Sequence, residues 1–385
     1  MRRHHVPAHP LTQGPSHHWF GYYDKLQFDP SQRFALCNEV GFEGRSPTAE
    51  DRIRVGLVDR HQDNAWHAQG TSRAWCWQQS CMLQWRPGSR TEIIWNDFED
   101  QRYVSHILDV HEGERRTVPC PVYSISPDGR LAVTPDFRRI QDMRPGYGYA
   151  PLPDPNADVL APDDAGIWRV DLETGETAMI VTIAEVAAIP WREDLSDAKH
   201  YFNHLLFSPD GSRFIFLHRW RRDGGQFYTR MMTAAADGSD IRVVDDGGRT
   251  SHFIWRDPGH ILAWALHPEM GWGFYVFPDG PGEPEPIGAD VMDCDGHCTY
   301  LPGNEWVVND TYPDDHNERH LYLYHVPTGE KVEIGRFDAG EHQHGEMRCD
   351  LHPRHSPDGT LLTIDSVHAG NGRQLYLLDI GDIVK

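Results

Sequence analysis

Four histidines recur at nearly one offset from a turn glycine. His204, His252 and His352 each stand seven residues before Gly211, Gly259 and Gly359, and His297 stands six before Gly303 in a turn shorter by one. Imidazoles that occupy one position in successive repeats converge if the repeats pack side by side. Converging imidazoles can hold a metal ion, move protons, or close a core through hydrogen bonds. Cys349 lies three residues before His352 in RCDLHPRHSPDG, and a thiolate beside imidazoles suits zinc. The ligand pool read from the sequence is therefore His204, His297, Cys349 and His352. The ion is a divalent metal, zinc by preference, with manganese or calcium as alternatives. Cys294 and Cys298 bracket His297 and could compete, but alternation along a strand sends neighbouring side chains to different faces.

A second set could handle an anion. Tyr123 and Arg139 flank an SPDG turn sixteen positions apart, Arg138, Arg144, Tyr147 and Tyr149 are close by, and Arg219, Arg221 and Arg222 follow the next SPDG turn. A hairpin returns its two ends to one rim, which puts the phenol and the Arg139 guanidinium together. Arginines clustered on an acidic protein suit a carboxylate, sulfate or phosphate. Arg139 and Arg219 have the stronger claim because strand ends hold them, whereas Arg221 and Arg222 read as solvated charge. An arginine beside a tyrosine or histidine base fits β-elimination on a uronic acid. Neutralising the carboxylate lowers the cost of removing the adjacent proton, and the base then returns a proton to the leaving oxygen. On this reading Tyr123, Arg139 and His252 are catalytic, and Arg144, Tyr147 and Arg219 bind substrate.

These residues need a frame, and the repeats supply it. YSISPDGRLAVTPDF, LLFSPDGSRFIFLHR and HPRHSPDGTLLTIDS share an alternating run, a Pro-Asp-Gly turn and a second alternating run, the signature of a β-hairpin. Degenerate copies at HFIWRDPGHILAWAL, HCTYLPGNEWVVNDTY, CMLQWRPGSRTEIIW and YYDKLQFDPSQRFALCNE bring the count to seven. Third strands such as GIWRVDLETGE and HLYLYHVPTGE follow most of them. Seven four-stranded units predict an all-β, seven-bladed β-propeller in preference to two β-sandwiches. The chain then forms a single domain over 1–385, with a long loop inserted in the third blade at about 139–165.

Composition narrows the function classes. With 36 basic against 58 acidic residues, the net charge of -22 opposes nucleic-acid and anionic-membrane binding, so an anionic ligand needs a local basic pocket. The sequence holds no long apolar run, which argues against a transmembrane helix. The expected location is the cytoplasm, or a secreted or periplasmic one if a leader precedes the sequence. Seven cysteines at scattered spacings read as reduced thiols.

FGYYDK, PVYSISPDGRLAVTPDFRR with its continuation RPGYGY, and RCDLHPRHSPDG resemble the seven-bladed propeller polysaccharide lyases of the ulvan lyase type. SHF, GHC and DLHPRHSPDG are similar to oligogalacturonate lyases. The first resemblance implies Tyr123 as general base and acid, with Arg139 against the uronate carboxylate. The second implies His252 as base, with His297 and His352 among the metal ligands. The chemistry is assigned to Tyr123 first, on its longer motif. Ulvan lyases also use histidines of an early blade, and this chain has Gln78 and Gln79 there. The expected partner is an anionic uronate oligosaccharide. Two other classes remain: a non-catalytic propeller scaffold, whose rim arginines would be paired with Asp or Glu, and a metal-dependent hydrolase with Asp310 as base.

Overall fold

The computed structural model describes residues 2–341 and 344–385. Seven small sheets form the ring of a seven-bladed β-propeller. The innermost strands of blades 1 to 7 are His17–Trp19, Gln84–Trp85, Ser124–Ile125, Lys199–Phe207, Phe253–Asp257, Thr299–Tyr300 and Arg354–His355. The second strands run antiparallel to them.

The SPDG repeats do two jobs at once. In each, the serine hydroxyl donates to the aspartate two residues on, at 2.6, 2.7 and 2.7 Å for Ser126, Ser208 and Ser356. The glycine N–H returns to the serine carbonyl, and Gly129, Gly211 and Gly359 all lie at φ of 72–73°, where a side chain is strained. Each glycine also packs against a turn proline of the preceding blade: Gly129 on Pro87, Gly211 on Pro127 and Gly359 on Pro302. The motif thus closes its hairpin and fixes blade spacing.

The N-terminal segment closes the ring. His9–Pro10 pairs antiparallel with Gln374–Asp379 as the outer strand of blade 7, and Arg2–Arg3 adds a parallel fifth strand to blade 6. Asp365 of blade 7 accepts the backbone N–H groups of Phe20 and Gly21 at 3.1 and 3.3 Å and a bidentate pair from Arg354. Two-residue strands carry no alternating pattern, so neither pairing is visible in the sequence.

The insertion falls between the second strand of blade 3, Leu131–Pro135, and the third, Gly166–Asp171. It opens with a helix, Phe137–Met143, capped by the Asp136 side chain. That helix corrects the expectation for Arg139, since the extended strand that would carry it to the rim ends at Pro135. Its guanidinium is buried, and all five donors are engaged: Nε to the His200 carbonyl, Nη1 to Asp154 Oδ2 (3.0 Å) and the Asn156 carbonyl, and Nη2 to the Val159 and Leu160 carbonyls. No donor is left for a substrate carboxylate. Arg139 pins the insertion to blade 4. Arg139→Ala would strand the buried Asp154 carboxylate, and a loss of about 3–5 kcal/mol is expected in chemical denaturation.

The strand that carries His204 is braced by a directional chain. Arg230 Nη2 lies 3.1 Å from His218 Nδ1, His218 Nε2 lies 2.8 Å from His200 Nδ1, and His200 Nε2 lies 3.3 Å from the Leu195 carbonyl. The guanidinium can only donate, so His218 must donate from Nε2 and His200 from Nε2. Both rings are therefore neutral. Burial, with Arg230 and Arg139 nearby, lowers His200 to about 4, below the ~6.5 of an unfolded chain. Between those values the unfolded state binds the extra proton, so stability falls as pH drops from 6.5 toward 4, by about 3 kcal/mol from this group. Melting temperatures over that range should show the slope, and His200→Gln should make it shallower, the remainder coming from other buried histidines lowered by burial, among them His218 and His252.

Candidate active site

The four histidines arrive from blades 4 to 7, and three of them touch. Ring centroids of His252 and His297 are 4.1 Å apart, and those of His297 and His352 are 4.2 Å apart. His204 is held off by Tyr22, whose ring stacks on His204 at 5.0 Å and meets His352 edge-on at 5.1 Å. Tyr22 and Tyr23 belong to a loop after the inner strand of blade 1 that reaches across the channel. Tyr23 Oη donates to the Phe253 carbonyl at 2.7 Å and accepts from its N–H at 3.1 Å. His204 lies within its strand, at a register shift, and not at the strand's start. His204 and His352 both occupy the left-handed region, at φ of 52° and 44°, a strain of about 1–3 kcal/mol each that concentrates at functional sites.

His297, Asp350 and His352 present ligand atoms within 4.8 Å of one another. One residue orients this set. Asp310 accepts from His297 Nδ1 at 2.9 and 3.0 Å, and from the backbone N–H groups of His297 (2.6 Å) and His352 (3.1 Å). With Nδ1 committed, the lone pair of His297 is at Nε2. Both His297 Nε2 and His352 Nε2 are buried without a hydrogen-bond partner. A carboxylate that fixes the imidazole opposite an unsatisfied nitrogen is the usual outer shell of a metal site, so the residues fit a divalent ion. Burial alone would raise the Asp350 carboxyl, but Arg348, His297 and Arg319 hold it at about 2. Its Oδ2 accepts from Arg348 Nε at 2.6 Å and its Oδ1 from Arg319 Nη2 at 3.3 Å, so an ion would share a carboxylate oxygen with an arginine.

This set differs from the expected pool in two places. His204 Nδ1 faces Gln79 Nε2 at 3.1 Å and Tyr123 Oη at 3.2 Å, on the far side of Tyr22. Cys349 is buried, its thiol pushed up to about 12 by burial, near Arg373 and Asp365. Asp350, and not Cys349, brings a ligand atom within range of His352, in a segment that precedes the strand Arg354–His355 and in which His352 is left-handed. Alternation could not have found it, because the segment is not extended strand.

His252 has its own carboxylate. Its Nδ1 lies 2.9 Å from Asp295 Oδ1, which leaves Nε2 as the free lone pair. Burial lowers this imidazole below its ordinary value, and Asp295 offsets that only in part. Tyr123 is placed differently. The phenol has no exposed surface, receives a 2.7 Å bond from Gln79, and is raised well above its ordinary value by burial and then by Asp24. It keeps its proton at neutral pH and serves to hold His204.

An arginine-lined patch adjoins the histidines. Tyr147 contacts His204 at 5.6 Å and accepts from Arg348 Nη2 at 2.6 Å and from Arg144 Nη2 at 3.4 Å. Arg144 and Arg219 both lie over the Phe227 ring, each at 5.0 Å. Arg144 Nη1 and Arg219 Nε and Nη1 are buried without partners, and among the described residues neither arginine has a carboxylate within salt-bridge range. Arg138 and Arg222, by contrast, are paired with Asp136 and Asp197. Gln78 donates to the carbonyls of Glu346 and Arg348, so it shapes the loop beside the patch. A cavity of about 600 Å³ opens elsewhere, lined by Ile189, Trp191, Leu195 and His200, and includes none of the four aligned histidines.

No known protein family matches the sequence, and no curated protein matches it. Among solved structures, the chain is similar to an oligogalacturonate lyase from Vibrio parahaemolyticus, with a TM-score of 0.70 at 14% identity over 99% of this chain and 95% of that one. It is also similar to the β-propeller domain of the Trilobed protease from Pyrococcus furiosus (TM-score 0.52, 12% identity, 94% and 96% covered). A further likeness is to a Pyrococcus horikoshii acylaminoacyl peptidase (TM-score 0.52, 16% identity), over 90% of this chain and 49% of that one. At these identities the likeness establishes the propeller fold, and the chemistry must be argued from the site. No helix among the described residues is long and apolar enough to cross a membrane.

Proposed function

We propose that this protein is a lyase that cleaves a uronate-containing oligosaccharide by β-elimination, with His252 as the base. The observation that carries this reading is an imidazole oriented by Asp295 in a group of histidines whose member His204 meets Tyr147, the partner of Arg144, an arginine with unmet donors. Arg144 and Arg219 receive the uronate carboxylate, which neutralises the charge that builds up as the adjacent carbon loses its proton. His252 Nε2 takes that proton. The electron pair left on carbon forms the new carbon–carbon double bond, the bond to the leaving oxygen breaks with its electrons on oxygen, and the imidazolium returns the proton there. His297, Asp350 and His352 would hold a divalent ion, whose positive charge adds to carboxylate neutralisation. Two imidazoles and a carboxylate suit zinc or manganese better than calcium.

The V. parahaemolyticus protein is described as an oligogalacturonate lyase, and that substrate class is the first to try. The ulvan-type assignment rests on the quoted motifs alone. The hydrolase alternative loses its base, because both oxygens of the buried Asp310 are engaged by His297 and His352. A scaffold is favoured by one observation, the near-complete burial of His204, His252, His297 and His352 at 2–6% exposure.

The test is incubation with a panel of uronate oligosaccharides, followed by near-ultraviolet absorbance of the unsaturated product. Turnover supports the lyase, and a flat trace across the panel favours the scaffold. Arg219→Ala should lower kcat/KM at least ~10-fold, the scale of one charge-assisted hydrogen bond, with kcat falling as well as KM rising, because the guanidinium meets charge that builds up in the transition state. Tyr123→Phe should stay within ~10-fold of the parent, since it forfeits one neutral hydrogen bond; a loss as deep as that of a missing base would return the chemistry to Tyr123.

A further inference from the structure

Blade 2 carries a second group of ligating side chains, independent of the channel. Its second and third strands, Glu92–Glu99 and Arg102–Asp109, pair with Trp95 opposite His106, Asp97 opposite Val104 and Glu99 opposite Arg102. Asp97 and Glu99 are two residues apart and share a face, and His106 reaches them diagonally from the partner strand. The imidazole has 1% of its surface exposed, packs on Trp95 at 5.2 Å, and places Nδ1 3.0 Å from Thr117 Oγ1. Its Nε2 lies 3.5 Å from Asp97 Oδ2 and 3.3 Å from Glu99 Oε1, and is buried with no hydrogen-bond partner. The other Asp97 oxygen is committed to the backbone N–H groups of Arg73 and Phe98, both at 2.7 Å.

The spacing of this group suits a metal ion. Metal bonds of ~2.0–2.2 Å in tetrahedral array put neighbouring ligand atoms about 3.3–3.6 Å apart, the spacing seen from Nε2 to each oxygen. Among the described residues no lysine or arginine lies within salt-bridge range of Asp97 or Glu99. Glu99 is 43% exposed on its side chain, which gives an ion a way in and leaves room for water as a fourth ligand. We propose that Asp97, Glu99 and His106 bind a first-row divalent metal ion that ties the second and third strands of blade 2 together. One imidazole with two carboxylates selects zinc or manganese over magnesium and calcium.

The ion also stiffens the support of the arginine patch. Asn96, beside Asp97, donates to the Val122 carbonyl and to Tyr149 Oη, and Tyr103 on the partner strand donates to the Tyr149 carbonyl. Tyr149 in turn anchors the part of the insertion that bears Arg144 and Tyr147.

The test is calorimetric titration of chelator-treated, untagged protein with ZnCl2 and MnCl2. His297→Ala/His352→Ala protein, which lacks the channel imidazoles, should still bind one ion per chain, and adding His106→Gln should abolish that binding. Glu99→Ala, at a half-exposed position that leaves the core intact, should lower the stoichiometry of otherwise unaltered protein by one ion, or weaken that ion by more than the ~10-fold an outer-shell loss costs. Unchanged stoichiometry and affinity in Glu99→Ala, or a folded channel double variant that takes up neither ion, would overturn the proposal. Neither outcome depends on lyase activity.

Discussion

His252→Ala should lower kcat on a uronate oligosaccharide by ~10²–10⁴-fold, the usual contribution of a positioned general base. KM should hold within a few-fold, because the groups that take the carboxylate, Arg144 and Arg219, are untouched. The size of the effect follows from geometry. Asp295 fixes the His252 tautomer through Nδ1, so the other nitrogen carries the lone pair in a defined direction, and burial keeps the ring neutral and able to accept a proton. Asp295→Asn tests the orientation alone. It retains the imidazole, so its kcat should fall between those of the parent and His252→Ala, again with KM little changed. Single-turnover absorbance on one substrate reads all three proteins. If His252→Ala retains full turnover, the base lies elsewhere and the elimination scheme loses its first step.

The frame was legible because its signals are local. An SPDG turn needs a serine, an aspartate and a glycine at fixed offsets, and Ser126, Ser208 and Ser356 make the same bonds in three different blades. The alignment of His252, His297 and His352 was legible for the same reason: equal distance from the turn glycine becomes equal height in the channel. What the sequence hid depends on partners remote in the chain. Tyr22 sits in a motif noted only for its resemblance, and nothing local shows that its ring crosses the channel to displace His204 from the metal-ligand set. Arg139 was misplaced because the folding-back argument assumes continued strand, whereas Asp136 caps a helix there. Gln79, read as the gap left by a missing early-blade histidine, in fact reaches the site and binds both Tyr123 and His204, without charge. Asp295 and Asp310 share one function, that of aiming an imidazole, and a partner 43 or 13 residues away leaves no periodic trace.

Asp310 supports the largest expected effect on metal binding. One carboxylate fixes two ligands: the His297 ring through Nδ1, and the backbones of both His297 and His352. Asp310→Asn keeps the shape but removes the charge that raises ligand basicity, and a 10–100-fold loss of affinity for zinc or manganese is expected. Titration in a His106→Gln background isolates the channel ion. His352→Ala, which deletes a ligand outright, should lose still more. Unpaired buried groups cost ~1–3 kcal/mol each, so His297 Nε2 and His352 Nε2 are a standing cost that ion binding removes. Added zinc or manganese should accordingly raise the melting temperature of His106→Gln protein, and the rise should shrink in Asp310→Asn. An affinity unmoved by Asp310→Asn would remove Asp310 from the support of the ligands, and no binding at all in the His106→Gln background would mean that the two imidazoles close the channel as packing groups.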